Sequence, residues 1–141
     1  MNNEELFKEI DLIQGCISRM ANNSFLVKGW ALSLIAGVTV FTNGENFDNL
    51  IFLLTTIVPF VCFWVLDAFF LQTEKKYRAM YSDRLKKRKN GDDDQLFELE
   101  PNKYNVNCVF RLMFSITLVV FYCIPILAIV IGFIIKMIQK V

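Results

Sequence analysis

A chain of 141 residues is the size of one small domain, yet 55% of it is hydrophobic, 21% is charged and the mean hydropathy is +0.41. A water-soluble domain of this size lacks the polar surface to cover so much apolar side chain, and a net charge of +1 gives no general pull toward nucleic acid or other polyanions. Histidine is absent, which excludes Ser-His-Asp and Cys-His nucleophiles, His-ligated metals and the commonest general base.

Residues 1–23 read as an amphipathic helix on the cytoplasmic side. They open with Asn2, Asn3, Glu4 and Glu5, not the basic start of a cleaved signal peptide. Asn2 with Glu5 three positions on forms an N-cap and capping-box start. Leu6, Ile10, Ile13, Ile17 and Met20 follow at alternating spacings of 4 and 3, a seam suited to shallow left-handed helix packing. Such a seam lies on the membrane or its own chain, or gathers further copies around an axis. Glu4, Lys8, Asp11 and Arg19 occupy the other face.

Residues 24–141 read as a three-helix transmembrane domain. The apolar segments 25–41, 50–71 and 112–135 contain 17, 22 and 24 residues and only two charges, Lys28 and Asp67. At about 1.5 Å per residue they reach about 26, 33 and 36 Å, against a hydrocarbon core of about 30 Å. Gly29, Ser33 and Gly37 recur every four residues in the first, a stripe that admits a close neighbour helix in the same subunit or another. A short polar turn, 42–48, leads to the second span. That span is expected to bend at Pro59 and to run on into the cytoplasm, aided by the i,i+4 pair Glu74 and Arg78.

The densest basic cluster is Arg84, Lys86, Lys87, Arg88 and Lys89. Asn90 and Gly91 should stop the helix, and Asp92, Asp93 and Asp94 begin an acidic loop, expected to be mobile, up to Cys108. The basic segment 73–108 belongs inside, which sets the N-terminus in the cytoplasm and Lys136 and Lys140 outside. The expected fold is an all-α membrane protein with three spans, in a symmetric homo-oligomer.

Charges inside spans are the clearest functional pointers. Lys28 and Asp67 each lie about one turn from the cytoplasmic end of antiparallel helices, so an ion pair is expected, either fixing helix register or lining a vestibule. Arg111 reads as a snorkelling anchor, and Trp30 and Trp64 as interfacial or packing residues. Around the inner edge Arg19, Asn22, Asn23, Lys28, Lys75, Lys76 and Arg78 converge, interleaved with Phe25, Tyr77 and Tyr81. Cations with aromatic faces suit either anionic lipid headgroups or a short single-stranded oligonucleotide. The four cysteines form no CxxC pair and read as small apolar filler. No catalytic or metal-binding motif is present, so neither an enzyme nor a cofactor is expected.

Two stretches, residues 19–31 (RMANNSFLVKGWA) and 63–81 (FWVLDAFFLQTEKKYRAMY), resemble the small transmembrane effectors of bacterial antiphage defence operons, and within them the Hailong transmembrane effector family. The resemblance spans a little over half of the chain. It implies a homotetramer that conducts ions across the inner membrane, and a nucleotidyltransferase-like partner making short single-stranded oligodeoxyadenylate. That ligand holds the family inactive; its loss opens the pore, depolarises the cell and arrests growth. The matching ligand-binding positions are Arg19, Asn22, Asn23 and Lys28, with Lys75 and Arg78 behind them. Two other readings stand beside this one: a non-conducting anchor recruiting a partner through its basic and acidic loop, and a small transporter in which Asp67 carries protons.

Overall fold

The computed structural model describes residues 3–41, 49–92 and 97–139, and these are helical throughout apart from turns and one connecting strap. Asn2, the polar turn 42–48, Asp93, Asp94 and Lys140, all used in the sequence reading, lie outside the described residues. In order come α1 (Asn3–Phe41), α2 (Asn49–Lys89), a 3-10 turn (Pro101–Lys103), α3 (Val109–Met113) and α4 (Ile116–Gln139). At about 1.5 Å per residue α1 and α2 are each about 60 Å long, twice a hydrocarbon core. One stretch of α2 is long and apolar enough to cross a membrane, and Ile116–Gly132 is a shorter apolar helix.

The first departure from expectation is that α1 has no break near residue 24. Asn22, Asn23 and Ser24 introduce neither Gly nor Pro, and the Ser24 hydroxyl bonds across to α2. The amphipathic and apolar parts are therefore one helix. It packs antiparallel along α2, which is likewise continuous, through Pro59. The inner face of α1 is Glu9, Ile13, Cys16, Val27 and Ala31. Of the expected seam, Ile13 is buried within this single chain, whereas Leu6, Ile10, Ile17 and Met20 are half-buried at its flanks.

α2 is the central element, with α1 on one side and α3 and α4 on the other. The core joins Ala31 of α1, Phe60 and Ala68 of α2, and Leu118 and Tyr122 of α4. The third apolar segment is not one helix but two. Trp64 Nε1 donates to the Met113 carbonyl at 3.1 Å, an acceptor that a continuous helix would keep for its own backbone. The chain turns at Phe114 and Ser115, and the Ser115 N–H closes on the Leu112 carbonyl instead.

α2 stops where expected. Gly91 takes φ +78°, and the N–H groups of Gly91 and Asp92 return to the carbonyls of Arg88 and Lys87, a Schellman closure that needs a residue tolerant of the left-handed region. The expected mobile loop is corrected for its second half, because residues 97–108 form a strap bound along α2. Arg84 holds the Glu98 carbonyl at 2.9 Å, Lys76 the Asn102 side chain at 3.0 Å, and Gln72 the Asn107 carbonyl at 3.1 Å. Tyr104 donates its hydroxyl to Asp83 at 2.8 Å.

The Tyr104 bond makes the strap sensitive to pH. Burial first, then Asp83, pushes the Tyr104 phenol from 10.0 up to about 12, while the same bond holds the Asp83 carboxyl below its ordinary 3.8. The folded strap favours the neutral phenol, so that stabilisation is complete below pH 10 and is lost as pH rises toward about 12. It favours the charged carboxylate, so that part is present above 3.8 and lost as pH falls below it. Hydrogen-exchange protection of residues 97–108, corrected for intrinsic rates, should decline at both extremes. Tyr104→Phe should remove the alkaline dependence, reduce the acid one to what Lys87, Arg84 and the Glu100–Lys103 pair still supply, and cost about 1 kcal/mol locally.

Candidate functional site

In the apolar half of the α1–α2 hairpin a group of charged and polar side chains gathers on Asp67. This carboxylate is fully buried, at 0% exposure. Ser24 donates to its Oδ1. Lys28, one turn further along α1, reaches Oδ2 at 2.6 Å and the Ser24 hydroxyl at 2.8 Å. From α4, the Tyr122 hydroxyl lies 3.2 Å from Oδ2 and 3.4 Å from the Phe63 carbonyl. The expected Lys28–Asp67 pair is thus formed, within a larger cluster that ties three helices to one carboxylate.

Aromatic rings close around it. Tyr122 stacks on Trp64 at 5.8 Å between ring centres and meets Phe60 at 5.2 Å. The Lys28 ammonium sits 5.9 Å from the Phe121 ring centre, close enough for a cation–π contribution. A carboxylate offers about four lone-pair sites, and three donors already occupy Asp67. The cluster is electroneutral and almost saturated. Chemically it is suited to holding helices in register; a mobile ion would have to displace donors to enter.

The other expected ligand groups lie nearer the polar end of the hairpin. The antiparallel register, set by Gln14 against Tyr81 at 3.4 Å and Ser24 against Asp67, puts Arg19, Asn22 and Asn23 level with the segment of α2 that carries Lys75. Arg19 is exposed, with one guanidinium nitrogen 3.4 Å from Cys16 Sγ. Burial and Cys16 raise the Tyr77 phenol above its ordinary value, and nearby Arg19 opposes them. Asn22 is exposed and Asn23 half-buried. Arg78 is bound to Glu74 at 2.7 Å, as expected, and Lys75 is exposed beside the strap. Lys28 differs from this group because its ammonium is committed to Asp67 and Ser24.

The basic cluster 84–89 is divided in a way its sequence does not announce. Arg88 makes two bonds to Glu9, Nε to Oε2 at 3.0 Å and Nη2 to Oε1 at 3.1 Å. Arg84 Nε stands 4.0 Å from Glu9 Oε1. Lys87 lies 3.6 Å from Asp83, while Lys86 and Lys89 are exposed. Glu9, Ser24 and Tyr122 were not among the expected site residues. Glu9 shares a stripe with Ile13 and Cys16 at spacings of 4 and 3, and a carboxylate on an apolar stripe is the signal that could have found it. Ser24 sits one turn before Lys28, which is a weaker signal. No group of three potential metal ligands is found among the described residues. No protein-family model, curated protein or solved structure matches the chain.

Proposed function

We propose that the chain is an inner-membrane subunit that assembles with copies of itself, as a tetramer, into a gated ion-conducting path serving bacterial antiphage defence. A short single-stranded oligodeoxyadenylate, supplied by a nucleotidyltransferase-like partner, holds the path shut from the cytoplasmic face. Its loss opens the path, depolarises the cell and arrests growth. The defence role and the ligand rest on the resemblance carried by residues 19–31 and 63–81. In this reading the apolar segments of α1, α2 and α4 all cross the bilayer, with the N-terminus inside.

One observation about α1 carries the assembly. Gly29 and Ser33 are exposed, and a Cβ added at Gly29 or Gly37 would meet no atom of the described residues within 4 Å. The small-residue stripe is therefore not used to bring α1 close to α2. Phe25, Trp30 and Leu32 around it are exposed as well. In lipid, faces of this kind pack against other helices because small residues let backbones approach, and a second copy offers the matching face.

The test is a double substitution, Gly29→Leu with Gly37→Leu. An added Cβ meets no described atom within 4 Å at either position, so the thermal stability of the isolated subunit should be preserved. The mass of the detergent-solubilised particle should fall from four copies toward one, and ion flux from reconstituted vesicles should be lost. A double variant with wild-type mass and flux sinks the assembly. The anchor reading loses ground because Arg84 and Arg88 are buried, which leaves its recruiting surface fewer free cations. The proton-transport reading is weakened by the three donors that already surround Asp67.

A further inference from the structure

Where the strap leaves α2 to enter α3, an open cleft of about 510 Å³ is lined by Lys75, Asn105, Val106 and Asn107. Clefts of roughly 300–1,000 Å³ are the usual size for small ligands. Its floor is fixed, because Gln72 Nε2 donates to the Asn107 carbonyl at 3.1 Å. One turn away Lys76 is tied to Asn102. The strap is therefore anchored on both sides of the cleft.

Of the cations around the cleft, Lys76 is held by the neutral Asn102 side chain and Lys75 by no carboxylate among the described residues. Glu74 is taken by Arg78, Glu100 by Lys103, and Asp83 by Tyr104 and Lys87. Lys75 is exposed and has no hydrogen-bond or ion-pair partner among the described residues. An ammonium is a donor only, and each asparagine amide adds two donors. The backbone N–H groups of Asn105, Val106 and Asn107 likewise meet no acceptor among the described residues, while the Asn107 carbonyl is already occupied. The lining is thus rich in donors and carries net positive charge, which is the chemistry of an anion site.

Its level in the molecule narrows the anion. Lys75 follows the apolar part of α2 by one turn, and Asn107 precedes the apolar residues of α3 and α4. In the membrane reading, on which this step rests, that is headgroup depth on the cytoplasmic side, where basic pockets meet lipid phosphate. We propose that this cleft binds a phosphodiester group, with Lys75 as the counter-charge and Asn105 and Asn107 as flanking donors. The same chemistry is offered by an anionic lipid headgroup and by a soluble nucleotide backbone.

The experiment uses the full chain purified in detergent, with native mass spectrometry as the readout. Phosphatidylglycerol is titrated in one arm and a soluble trinucleotide in the other. Lys75→Gln should weaken binding about tenfold, and Asn107→Asp, which sets a negative charge beside the site, should weaken it further. Lys86→Gln removes the same charge from an exposed position and should change nothing. Loss in the lipid arm identifies a headgroup site, and loss in the trinucleotide arm identifies a soluble ligand. Wild-type affinity of both cleft variants for both probes overturns the proposal. Ion flux is not part of this readout, so failure here and failure of the proposed pore are separate results.

Discussion

Glu9→Ala should destabilise the polar end of the helix hairpin by about 3–5 kcal/mol, the usual cost of removing one partner of a buried ion pair. Glu9 is 2% exposed, and its carboxylate serves three segments at once. Arg88 binds both of its oxygens, Arg84 stands at 4.0 Å, and the Phe97 N–H points to Oε1 at 3.4 Å. Without it, two buried guanidinium groups keep carbonyl partners at Glu98 and Asp92 but lose the buried carboxylate they share. Phe97, held at φ 60°, also loses a bond that fixes a backbone conformation rare outside glycine. Hydrogen exchange should therefore speed up together at the start of α1, the end of α2 and residues 97–100. Because the damage comes from breaking a buried ion pair, replacing both partners with apolar side chains, Glu9→Leu combined with Arg88→Met, should recover part of the loss. If Glu9→Ala exchanges like wild type, the cluster does not clamp the hairpin.

The parts of this fold that follow local rules were legible in the chain. The extension of α2, its Glu74–Arg78 pair and its stop at Asn90 and Gly91 depend on spacings within one helix. The Lys28–Asp67 pair was legible for a different reason: two opposite charges at matched depth in apolar segments have few other places to go. What escaped depends on neighbours distant in the chain. The inner face of α1 is centred on Glu9, Ile13 and Cys16, one residue away from Ile10 and Ile17 at two positions. Hydrophobicity alone chose the isoleucines because it has no means of scoring a carboxylate that arginines will cover. Tyr122 joined the Asp67 cluster only once α4 was packed on α2. The break between α3 and α4 is made by a side chain of another helix, Trp64, and leaves no trace in the apolar pattern. The strap is held by single bonds from α2 to side chains and carbonyls, which have no periodicity to read.

Lys28→Ala should prove more damaging than Asp67→Ala, by about 1 kcal/mol or more out of a loss of about 3–5 kcal/mol. The asymmetry comes from exposure. The Asp67 side chain is fully enclosed, whereas that of Lys28 retains 26% of its surface. An orphaned lysine can extend its ammonium toward its exposed side; an orphaned Asp67 has no such route, although Ser24 and Tyr122 still reach it. Asp67→Asn removes the charge and turns one of the two accepting oxygens into a donor, but it keeps one acceptor and the side-chain volume, so it should cost less than Asp67→Ala. The pair Lys28→Ala with Asp67→Asn should then be more stable than Lys28→Ala alone, a coupling well beyond the 0.5 kcal/mol or so of independent sites. Unfolding titrations in detergent measure these differences. Simple additivity, or equal losses from the two alanines, would show that the ion pair does not hold the helices in register. Ion flux from vesicles carrying the same double variant separates the two roles considered for the pair. A lock that only sets register, as its saturation with donors favours, should regain flux when it regains stability. A pair exposed to the conducting path should regain stability and remain defective in flux, because the path would then have lost both charges that line it.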